Sequence, residues 1–463
     1  MTDFDVIVAG GGPGGSTAAG LVAADGHRVL LLEQEHLPRY RIGESLLPAT
    51  VHGICALLGV RDEIERAGFV RKRGGAFRWG SSPEPWTFSF AASERMAGPT
   101  SYAYQVERTR FDTILLRNAA RLGADVREGH QVLGTLRDGG RITGVRYRDE
   151  SGREHTATAR FVVDASGHTS RLHHAAGGVR EYSPDFRNVA LFGYFLGGDR
   201  LPEPDAGNIL CVAFDAGWFW YIPLSPTLTS VGAVVRQECA ARVQGDRETA
   251  FRGLIADCPL IARFLRDAHR ATEPPYDRLR VRRDYSYDRT TLHCPGLVLV
   301  GDAACFIDPV FSSGVHLATY SALLAARSIN SSLAGTVPEE RCFAEFEARY
   351  RREFGVFRDF LKGFYRLEAD ARSYFRQAHR VTGHGTDDRA AFADLVGGVS
   401  SGDFDVFGEV LAEGAQLQLR GLLGAEAGEE PPMFPGGLVS TPDGRRWQTA
   451  SGELPLVRQV TDA

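Results

Sequence analysis

The stretch Val6-Ile7-Val8-Ala9-Gly10-Gly11-Gly12-Pro13-Gly14-Gly15 decides the fold of this chain. It is followed by small residues up to Ala24, by the run Arg28-Val29-Leu30-Leu31-Leu32, and by Glu33. The pattern predicts a buried strand, a glycine turn, a helix of small residues and a second strand over residues 4–33. This is the βαβ unit with which doubly wound α/β proteins bind a nucleotide.

Each glycine of the GxGxxG pattern in this turn has a separate physical task. Gly10 permits the tight turn, Gly12 lets the backbone approach a pyrophosphate, and Gly15 lets the helix pack closely on the strand. The turn continues through Pro13 into a helix whose N-terminus offers unpaired N–H groups to phosphate. Glu33 lies where an acid accepts hydrogen bonds from a ribose. We therefore predict that these five residues bind a dinucleotide.

A second segment favours FAD over NAD. The apolar strand Leu297-Val298-Leu299-Val300 ends in Gly301-Asp302-Ala303-Ala304. This segment resembles the second FAD motif of the glutathione-reductase-like flavoproteins, in which the Asp holds the ribityl chain. The resemblance implies that Gly301 and Asp302 contact FAD. No second GxGxxG follows in the sequence, so a separate NAD(P)H domain is not expected.

Two more segments complete the FAD signature. Residues 161–167, Phe-Val-Val-Asp-Ala-Ser-Gly, resemble the Asp-Gly motif of the FAD-dependent aromatic hydroxylases and their relatives. Residues 106–112 resemble the helix start where that group places a flavin-contacting Arg. The resemblance implies that Asp164 and Arg108 bind the cofactor. For Asp164 an alternative is that it merely ends a strand at a turn.

Composition sets the broad class of the protein. A hydrophobic content of 43% and a charged content of 24% over 463 residues are those of a soluble globular protein. The net charge of -5 argues against a nucleic-acid binder. Seven scattered cysteines without a Cys-x-x-Cys pair predict a reduced cytoplasmic protein with no metal site. No apolar run approaches the ~18 residues of a membrane span, and no signal peptide is expected.

Only two of the 53 basic residues are lysines, Lys72 and Lys362. An ε-amine can lose its proton in a dry site and act as a nucleophile, whereas a guanidinium stays charged. A lysine that remains in so Arg-rich a chain is therefore a candidate for chemistry that Arg cannot perform. Taken alone, the count is equally compatible with drift.

The middle of the chain predicts an antiparallel sheet inserted in the nucleotide fold, mainly over residues 180–290, where a substrate domain is usual. It contains the run 217–223, Gly-Trp-Phe-Trp-Tyr-Ile-Pro. On a strand, Trp218 and Trp220 point to one face and the residues between them to the other. Such a tryptophan pair is most often part of a sheet core.

The Trp-x-Trp-x-Ile-Pro sequence at 218–223 resembles the signature of the flavin-dependent halogenases, and the likeness is collinear from residue 4 to about 330. Residues 308–316 resemble the loop over the isoalloxazine, which implies FAD contacts at Pro309, Gly314 and Val315. Residues 41–48 resemble the early flavin-side loop, which implies contacts at Arg41 and Ser45. The fold class implied is α/β, a Rossmann-like FAD-binding βαβ domain with an inserted antiparallel sheet and a mainly helical C-terminal region.

The resemblance also implies a mechanism. A separate flavin reductase supplies FADH2, which reacts with O2 to give a C4a-hydroperoxide, and a halide ion attacks it to release hypohalous acid. Backbone N–H groups at Ser313 and Gly314 are expected to hold the halide, although Gly314 could be a plain turn glycine. Trp218 and Trp220 would keep the organic substrate from the flavin. Lys72 would relay the halogen to an aromatic carbon.

One departure from the tryptophan halogenases bears on the substrate. Those enzymes carry a Glu in the loop that matches residues 310–314, whereas this chain has no acid there. The resemblance therefore implies a substrate that is activated on its own, a phenol or a pyrrole. Several members of that subgroup act on aromatic acyl groups carried by an acyl- or peptidyl-carrier protein, whose surface is acidic.

The C-terminal region, residues 336–463 after an FAD-binding domain at 1–335, is expected to be mainly helical. Apolar residues at helical spacing predict an amphipathic helix over 343–378. Residues 345–380 hold nine basic and six acidic side chains, a net of +3. An acidic carrier could dock there, but a solvated helix face is the more usual explanation. The basic residues on this face are Arg351, Arg358, Lys362 and Arg366. Residues 425–437 are typical of a linker, and 438–456 predict a hairpin.

Two rival functions remain at this stage. One is a single-component FAD hydroxylase that consumes NAD(P)H itself. The other is a flavin-binding scaffold without activity, against which the retained Lys72 argues.

Overall fold

The computed structural model describes residues 2–80, 84–96, 98–283, 285–366, 371–383, 387–400, 432–434 and 436–449. The strands in chain order are β1 (Phe4–Ala9), β2 (Val29–Leu32), β3 (Val70–Lys72), β4 (Gly74–Arg78), β5 (Trp86–Ser89), β6 (Ala103–Gln105), β7 (Asp125–Arg127), β8 (Gln131–Asp138), β9 (Arg141–Arg148), β10 (Glu154–Asp164), β11 (Arg180–Tyr182), β12 (Asn188–Leu196), β13 (Ile209–Phe214), β14 (Gly217–Pro223), β15 (Leu228–Arg236), β16 (His269–Arg270), β17 (Arg280–Arg283), β18 (Tyr287–Arg289), β19 (His293–Cys294), β20 (Leu297–Leu299), β21 (Leu438–Ser440) and β22 (Trp447–Thr449).

The α-helices are α1 (Pro13–Ala24), α2 (Cys55–Leu57), α3 (Arg61–Arg66), α4 (Arg108–Arg121), α5 (His173–Ala176), α6 (Arg247–Ala256), α7 (Pro259–Phe264), α8 (Ser313–Ala334), α9 (Glu339–Arg366), α10 (Ala371–Thr382) and α11 (Asp388–Gly397). A π-helical turn spans Ala49–Ile54, and short 3₁₀ turns span Phe90–Ala92, Gly167–Thr169, Gln237–Val243, Gly301–Ala303 and Pro309–Phe311.

The first sheet carries the nucleotide side of the molecule, and its core is parallel in the order β20-β10-β1-β2-β7. Its central strands are apolar runs buried on both faces, as parallel strands covered by helices must be. The predicted βαβ unit is confirmed. Ala9 pairs with both Leu32 and Asp164, and Asp164 pairs with Leu299. The carboxyl ends of four strands, which carry the βαβ, Asp164 and Asp302 motifs, therefore meet at one edge.

Helix α1 packs against α8 because its residues are small. A Cβ added at Gly14 would lie 3.1 Å from the carbonyl oxygen of Ala318 on α8. The backbones of the two helices thus lie almost in contact, and this close packing brings the start of α8 toward the nucleotide turn.

The second sheet has eight strands, in the order β16-β12-β15-β14-β13-β4-β5, with β17 also pairing β12. Six of them lie within the predicted span, and β12, β15, β14 and β13 pair antiparallel as expected. The antiparallel sheet predicted mainly over residues 180–290 is confirmed, and outside that span β4 joins it by pairing parallel to β13. Strands β4 and β5 come from residues 74–89 and were not predicted. Gly74 permits the close approach of these two strands, since a Cβ there would lie 1.9 Å from the Phe88 carbonyl oxygen.

The predicted alternation on β14 is confirmed. Trp218 and Trp220 belong to the large core cluster between the sheets, whereas Phe219 and Tyr221 belong to a separate cluster on the outer face, which α6 and α7 cover. The tryptophan pair therefore faces the nucleotide side of the molecule.

The C-terminal region is helical as predicted, but the single helix expected over 343–378 corresponds to α9 and α10. Its apolar stripe is buried: Phe346, Tyr350, Phe354, Phe357, Leu361 and Phe364. The hairpin is confirmed as β21 and β22, with Ser440 opposite Trp447. It packs on α8, where the Trp447 indole N–H donates to Ser328 Oγ at 3.0 Å. The predicted linker at 425–437 and residues 450–456 lie largely outside the described residues.

Among the described residues, no helix is both long and apolar enough to cross a bilayer. Within the same ranges, no group of three or more His, Cys, Asp or Glu side chains is placed to hold a metal ion.

Candidate active site

A cavity of about 930 Å³ opens at the carboxyl edge of the first sheet and reaches the second sheet. Eleven of the predicted cofactor residues line it: Gly10, Gly12, Pro13, Glu33, Arg41, Arg108, Gly301, Asp302, Pro309, Gly314 and Val315. Gly15, Ser45 and Asp164 do not line it. The cavity has the size of a cofactor site and joins segments from the whole first three quarters of the chain.

The glycine turn fits a pyrophosphate. Gly10 has a φ of +104°, and a Cβ there would lie 2.5 Å from the Ala165 carbonyl oxygen. A Cβ at Gly15 would lie 1.8 Å from the Gly10 carbonyl oxygen. At Gly12, by contrast, a Cβ would meet only Arg39 Nη2, at 3.5 Å, so this backbone faces open cavity. The roles predicted for the three glycines, tight turn, close packing and ligand approach, agree with these distances.

Glu33 is held in place by backbone donors. Its Oε2 accepts from the N–H of Gly11 at 2.7 Å and its Oε1 from the N–H of Glu35 at 3.0 Å. The side chain is buried at the end of β2 and lines the cavity. This position suits a ribose acceptor, as the sequence predicts.

Arg108 begins α4, and its guanidinium is held in place by Asp112. The sequence did not identify Asp112 as a site residue. Asp112, fully buried one helical turn later, accepts from Arg108 Nε at 2.7 Å and from Arg39 Nη1 at 2.7 Å. Arg108 also donates to the Ile42 carbonyl oxygen at 2.5 Å. The i, i+4 spacing of Arg and Asp at a helix start was a signal that could have identified Asp112. Arg41 instead pairs with Glu35.

Asp164 and Ser45 lie behind the cavity wall. Asp164 accepts from Ser166 N at 3.1 Å and also binds the Ser170 hydroxyl, so it closes the turn whose residues do line the cavity. Ser45 is buried, and its backbone forms an isolated antiparallel β-bridge with Gln105. Direct contact of either side chain with FAD stays a prediction.

Asp302 is aimed into the cavity without a hydrogen-bond donor for its carboxylate among the described residues. Burial raises the pKa of this carboxyl group to about 6. Asp302 is partly buried, and a carboxylate left open toward a cavity can accept hydrogen bonds from a ligand. A ribityl hydroxyl can donate such a hydrogen bond, and the residues present therefore fit FAD.

The two tryptophans of β14 lie side by side at one end of this cavity. Their ring centroids lie 6.2 Å apart. Trp220 lines the cavity, whereas Trp218 does not and contacts Trp79 at a centroid distance of 6.0 Å. Trp220 therefore faces the cavity and Trp218 lies behind it, and the barrier role of the pair stays a prediction.

The predicted halide loop is the N-terminus of a long helix. After the turn Pro309–Phe311, Ser312 adopts φ 60° and ψ 23°, and the 22-residue helix α8 begins at Ser313. The N–H groups of the first helical turn have no partner within the helix, and the helix dipole adds positive potential there. Ser313 is buried, and Gly314 lines the cavity. This end of α8 therefore suits an anion.

Lys72 ends β3, where it pairs with Ala103 of β6, and only 2% of its surface is exposed. Its Nζ donates to the Leu46 carbonyl oxygen at 3.1 Å and to Ser312 Oγ at 3.4 Å. Burial lowers the pKa of Lys72 to about 7. At neutral pH a large share of this lysine is an uncharged amine, which a nucleophilic relay requires.

The space beside Lys72 is apolar and almost filled. It holds about 10 Å³, which is at the lower limit for a single water molecule. Its walls are Phe77, Phe88, Ile209, Val310, Phe311, Ser312 and Val396. The lysine therefore lies in an aromatic pocket that is distinct from the flavin cavity.

A nucleotide cavity lined by the predicted FAD residues, with a buried lysine of lowered pKa in a separate pocket, agrees with the resemblance to the flavin-dependent halogenases. In a hydroxylase, by contrast, the substrate lies against the flavin. The sequence profile of the tryptophan halogenase family matches residues 5–98 and 92–417. The chain belongs to this family. It is an enzyme that uses FAD, halide and O2, and flavin-dependent halogenases depend on a separate flavin reductase.

Three relatives illustrate the similarity. A tryptophan 2-halogenase of Chondromyces crocatus is 37% identical over 407 residues, which cover 85% of this chain and 75% of the relative. The structure of the myxobacterial chondrochloren halogenase CndH, a variant of the FAD-dependent halogenases, is 54% identical with a TM-score of 0.79 and covers 96% of this chain and 99% of that one. The flavin-dependent halogenase CmlS is 29% identical with a TM-score of 0.76, over 97% and 84% of the two chains.

Proposed function

We propose that this enzyme halogenates an electron-rich aromatic ring, a phenol or a pyrrole, and that Lys72 presents the electrophilic halogen. The observation that carries the substrate class is the absence of a carboxylate around Lys72 within the described ranges. The walls of its pocket are apolar apart from Ser312. The one titratable neighbour that acts on the pKa of Lys72 is the Cys211 thiol. No acid is at hand to stabilise a cationic ring intermediate, so the ring must stabilise itself.

Bound reduced FAD, with O2, a halide and a proton, supplies hypohalous acid together with oxidised FAD and water. The chain's own residues then direct this oxidant. The N–H groups of Ser313 and Gly314 hold the halide at the start of α8. Trp218 and Trp220 keep the organic ring on the far side of the wall.

Lys72 completes the transfer in two balanced steps. The neutral amine attacks the halogen of hypohalous acid, which forms an N–halogen bond and releases water. The aromatic carbon then takes the halogen as a cation, loses its proton, and returns the amine. The short distance from Nζ to Ser312, next to the halide position, supports this relay. As an alternative within the same site, a protonated Lys72 could hydrogen-bond hypohalous acid without forming a covalent bond.

A carrier-bound substrate is the finer part of the proposal, and the ion pairs of α9 favour a docking surface other than the basic face expected there. Arg351 is paired with Glu347, and both Lys362 and Arg366 are paired with Asp185. Much of the basic face predicted on α9 is therefore neutralised by the chain itself. Helix α10 carries an exposed stripe at i, i+4 and i+8 and no acidic residue: Arg372, Arg376 and Arg380. We assign the acidic carrier to this stripe. We also assign the protein to the cytoplasm, which its seven cysteines support because none forms a disulfide.

Mass spectrometry tests the proposal. The enzyme is incubated with FAD, a flavin reductase, NADH and chloride, bromide or iodide, and is offered phenolic and pyrrolic acids, free and carrier-bound, and free tryptophan. A product heavier by one halogen on a phenol or pyrrole is expected, and none without halide. Halogenation of tryptophan alone would refute the substrate class, and a halide-independent hydroxylated product would refute the reaction.

The docking surface needs its own comparison. Glu substitutions at Arg372, Arg376 and Arg380 should lower kcat/KM for the carrier-bound substrate at least about tenfold and leave the free acid unaffected. The matched control carries the same substitutions at three exposed arginines on or next to α6 and α7: Arg252, Arg263 and Arg266. Equal losses in both triple variants would contradict docking on α10.

A further inference from the structure

The indole of Trp218 is held by a chain of two further groups. Its Nε1 donates to the Tyr365 hydroxyl at 2.6 Å, and that hydroxyl donates to Asp308 Oδ1 at 3.1 Å. Trp218 and Asp308 are fully buried. Tyr365 also packs edge-on against Trp79, the other neighbour of Trp218, with centroids 5.6 Å apart. Tyr365 thus contacts both Trp218 and Trp79.

The indole of Trp220 donates into a similar series of polar groups, which belongs to a different part of the fold. Its Nε1 donates to Ser230 Oγ at 3.2 Å, and the Ser230 hydroxyl stabilises the carboxylate form of Glu44. Glu44 also accepts from the Tyr194 hydroxyl at 2.6 Å. Trp218 is therefore tied through the Tyr365 hydroxyl to the buried carboxyl group of Asp308, whereas Trp220 donates to a hydroxyl that lowers the pKa of a second buried carboxyl group.

The two acids share a second property. Within the described residues, Asp308 Oδ2 and Glu44 Oε2 are buried and have no hydrogen-bond partner. Burial raises the pKa of both carboxyl groups to about 7. Keeping an acid in so dry a place is unfavourable, and its retention indicates that the hydrogen bond it accepts has a purpose. Here that purpose is to fix an indole in one orientation.

Tyr365 is the member of these chains that connects distant parts of the molecule. It lies in the last turn of α9, whereas Asp308 precedes the halide loop and Trp218 lies on β14. Packing alone leaves an indole free to tilt, since its flat ring meets neighbours mainly through dispersion. A hydrogen bond at 2.6 Å sets both the position and the direction of its N–H.

We propose that Tyr365 is the positioning residue of the wall: its hydroxyl holds the Trp218 indole against Asp308 and so keeps the passage from the flavin cavity to Lys72 closed to an organic ring. This inference rests on the proposed function of the two tryptophans as a wall. It makes α9 a part of the active site, through a residue that touches neither flavin nor substrate.

The first test deletes only the hydroxyl. The Tyr365→Phe variant should form on the order of fivefold less halogenated product per FADH2 oxidised, the loss that one hydrogen bond commonly carries. Oxygen consumption and FAD affinity should stay within about twofold of the wild type, because Tyr365 does not line the flavin cavity. The matched control is Tyr221→Phe. Tyr221 is a buried tyrosine on β14 itself whose hydroxyl donates to the Asp199 carbonyl oxygen at 2.8 Å on the other face of the sheet.

The second test does not depend on turnover. The chain has five tryptophans, so ¹⁵N-indole labelling gives five N–H signals. The Trp218 signal, assigned by its loss in Trp218→Phe, should move upfield in Tyr365→Phe and stay in place in Tyr221→Phe. An unshifted signal would overturn the positioning role even if the wild type halogenates. A shifted signal in an enzyme that halogenates nothing would leave the hydrogen bond standing and refute the proposed function instead.

A double-mutant cycle decides whether Tyr365 acts through Trp218. If it does, adding Tyr365→Phe to Trp218→Phe should change the product yield per FADH2 by less than about twofold. Fully additive losses would overturn the proposal, as would a Tyr365→Phe variant that couples flavin oxidation to halogenation as well as the wild type.

Discussion

The Nζ of Lys72 lies 3.4 Å from Oγ of Ser312, although 240 positions separate the two residues along the chain. Ser312 is the one described residue other than glycine with a positive φ, and it immediately precedes the helix end that suits the halide. The strained turn before α8 thus places Ser312 beside the amine of Lys72 at the end of β3. The predicted halide position begins at the next residue, Ser313.

Replacing Lys72 should separate the two halves of the reaction. Lys72→Ala is expected to abolish halogenated product, because no other amine reaches the pocket in the described structure. Oxidation of FADH2 should stay within about twofold of the wild type, since Lys72 does not line the flavin cavity. Product by mass spectrometry and oxygen uptake measure the two. The control is Lys362→Ala, which removes the chain's other lysine from its ion pair with Asp185. Retained halogenation in Lys72→Ala would refute the relay.

The pH dependence should follow the same amine. Burial lowers the pKa of Lys72 to about 7, so the group is mostly an ammonium at pH 6 and mostly a neutral amine at pH 8. Only the neutral form can attack the halogen. Product per FADH2 oxidised should therefore rise from pH 6 to pH 8 with a midpoint near the pKa. A ratio that stays flat or falls over this range would favour the hydrogen-bonding alternative.

Lys72 should also reduce stability. Because the folded pKa lies below the unfolded value of 10.5, the folded state binds fewer protons between pH 7 and pH 10.5, and wild-type stability rises with pH there. Lys72→Met removes this cost and should raise the free energy of unfolding at pH 7 by on the order of 2 kcal/mol, after the loss of two hydrogen bonds. The gain should shrink by pH 9.5. Urea titrations at both pH values measure it, and a destabilised variant at pH 7 would contradict the argument.

Two glycines of the nucleotide turn should fail in different ways. In Gly12→Ala the new methyl group meets only Arg39 Nη2, so the chain should fold but bind FAD at least about tenfold more weakly, as it occupies the pyrophosphate's approach. In Gly15→Ala the methyl group would lie 1.8 Å from the Gly10 carbonyl oxygen, so folding itself should fail. Circular dichroism and flavin titration separate the outcomes. Equal FAD affinity in Gly12→Ala and the wild type would place the pyrophosphate elsewhere.

The halide position can be tested at Gly314. A Cβ there would lie 2.9 Å from Phe306 Cε2, so Gly314→Ala must shift that ring or the first turn of α8. The halide KM should rise at least about tenfold at saturating FADH2. Gly355→Ala is the matched control, because it also adds one methyl group to a helix but meets nothing within 4 Å. An unchanged halide KM in Gly314→Ala would remove the halide from this helix end.

The sequence by itself determined those features that rest on local pattern. The βαβ unit, the two-sided strand around Trp218 and Trp220, and the hairpin at β21 and β22 all follow from the spacing of apolar, glycine and turn residues. Such spacing reflects the period of a strand or helix, which each segment obeys wherever it lies. The choice of Lys72 rested on chemistry that Arg cannot perform, together with family likeness.

Only the tertiary structure decided which groups meet. Asp112 between two arginines, Tyr365 against Trp218, and Ser312 beside Lys72 are contacts between segments far apart in sequence. The parallel pairing of β4 with β13 and the neutralisation of the basic face on α9 by Asp185 are of the same kind. Local periodicity cannot specify them, because they depend on how whole elements pack and on which polar groups must find partners once buried.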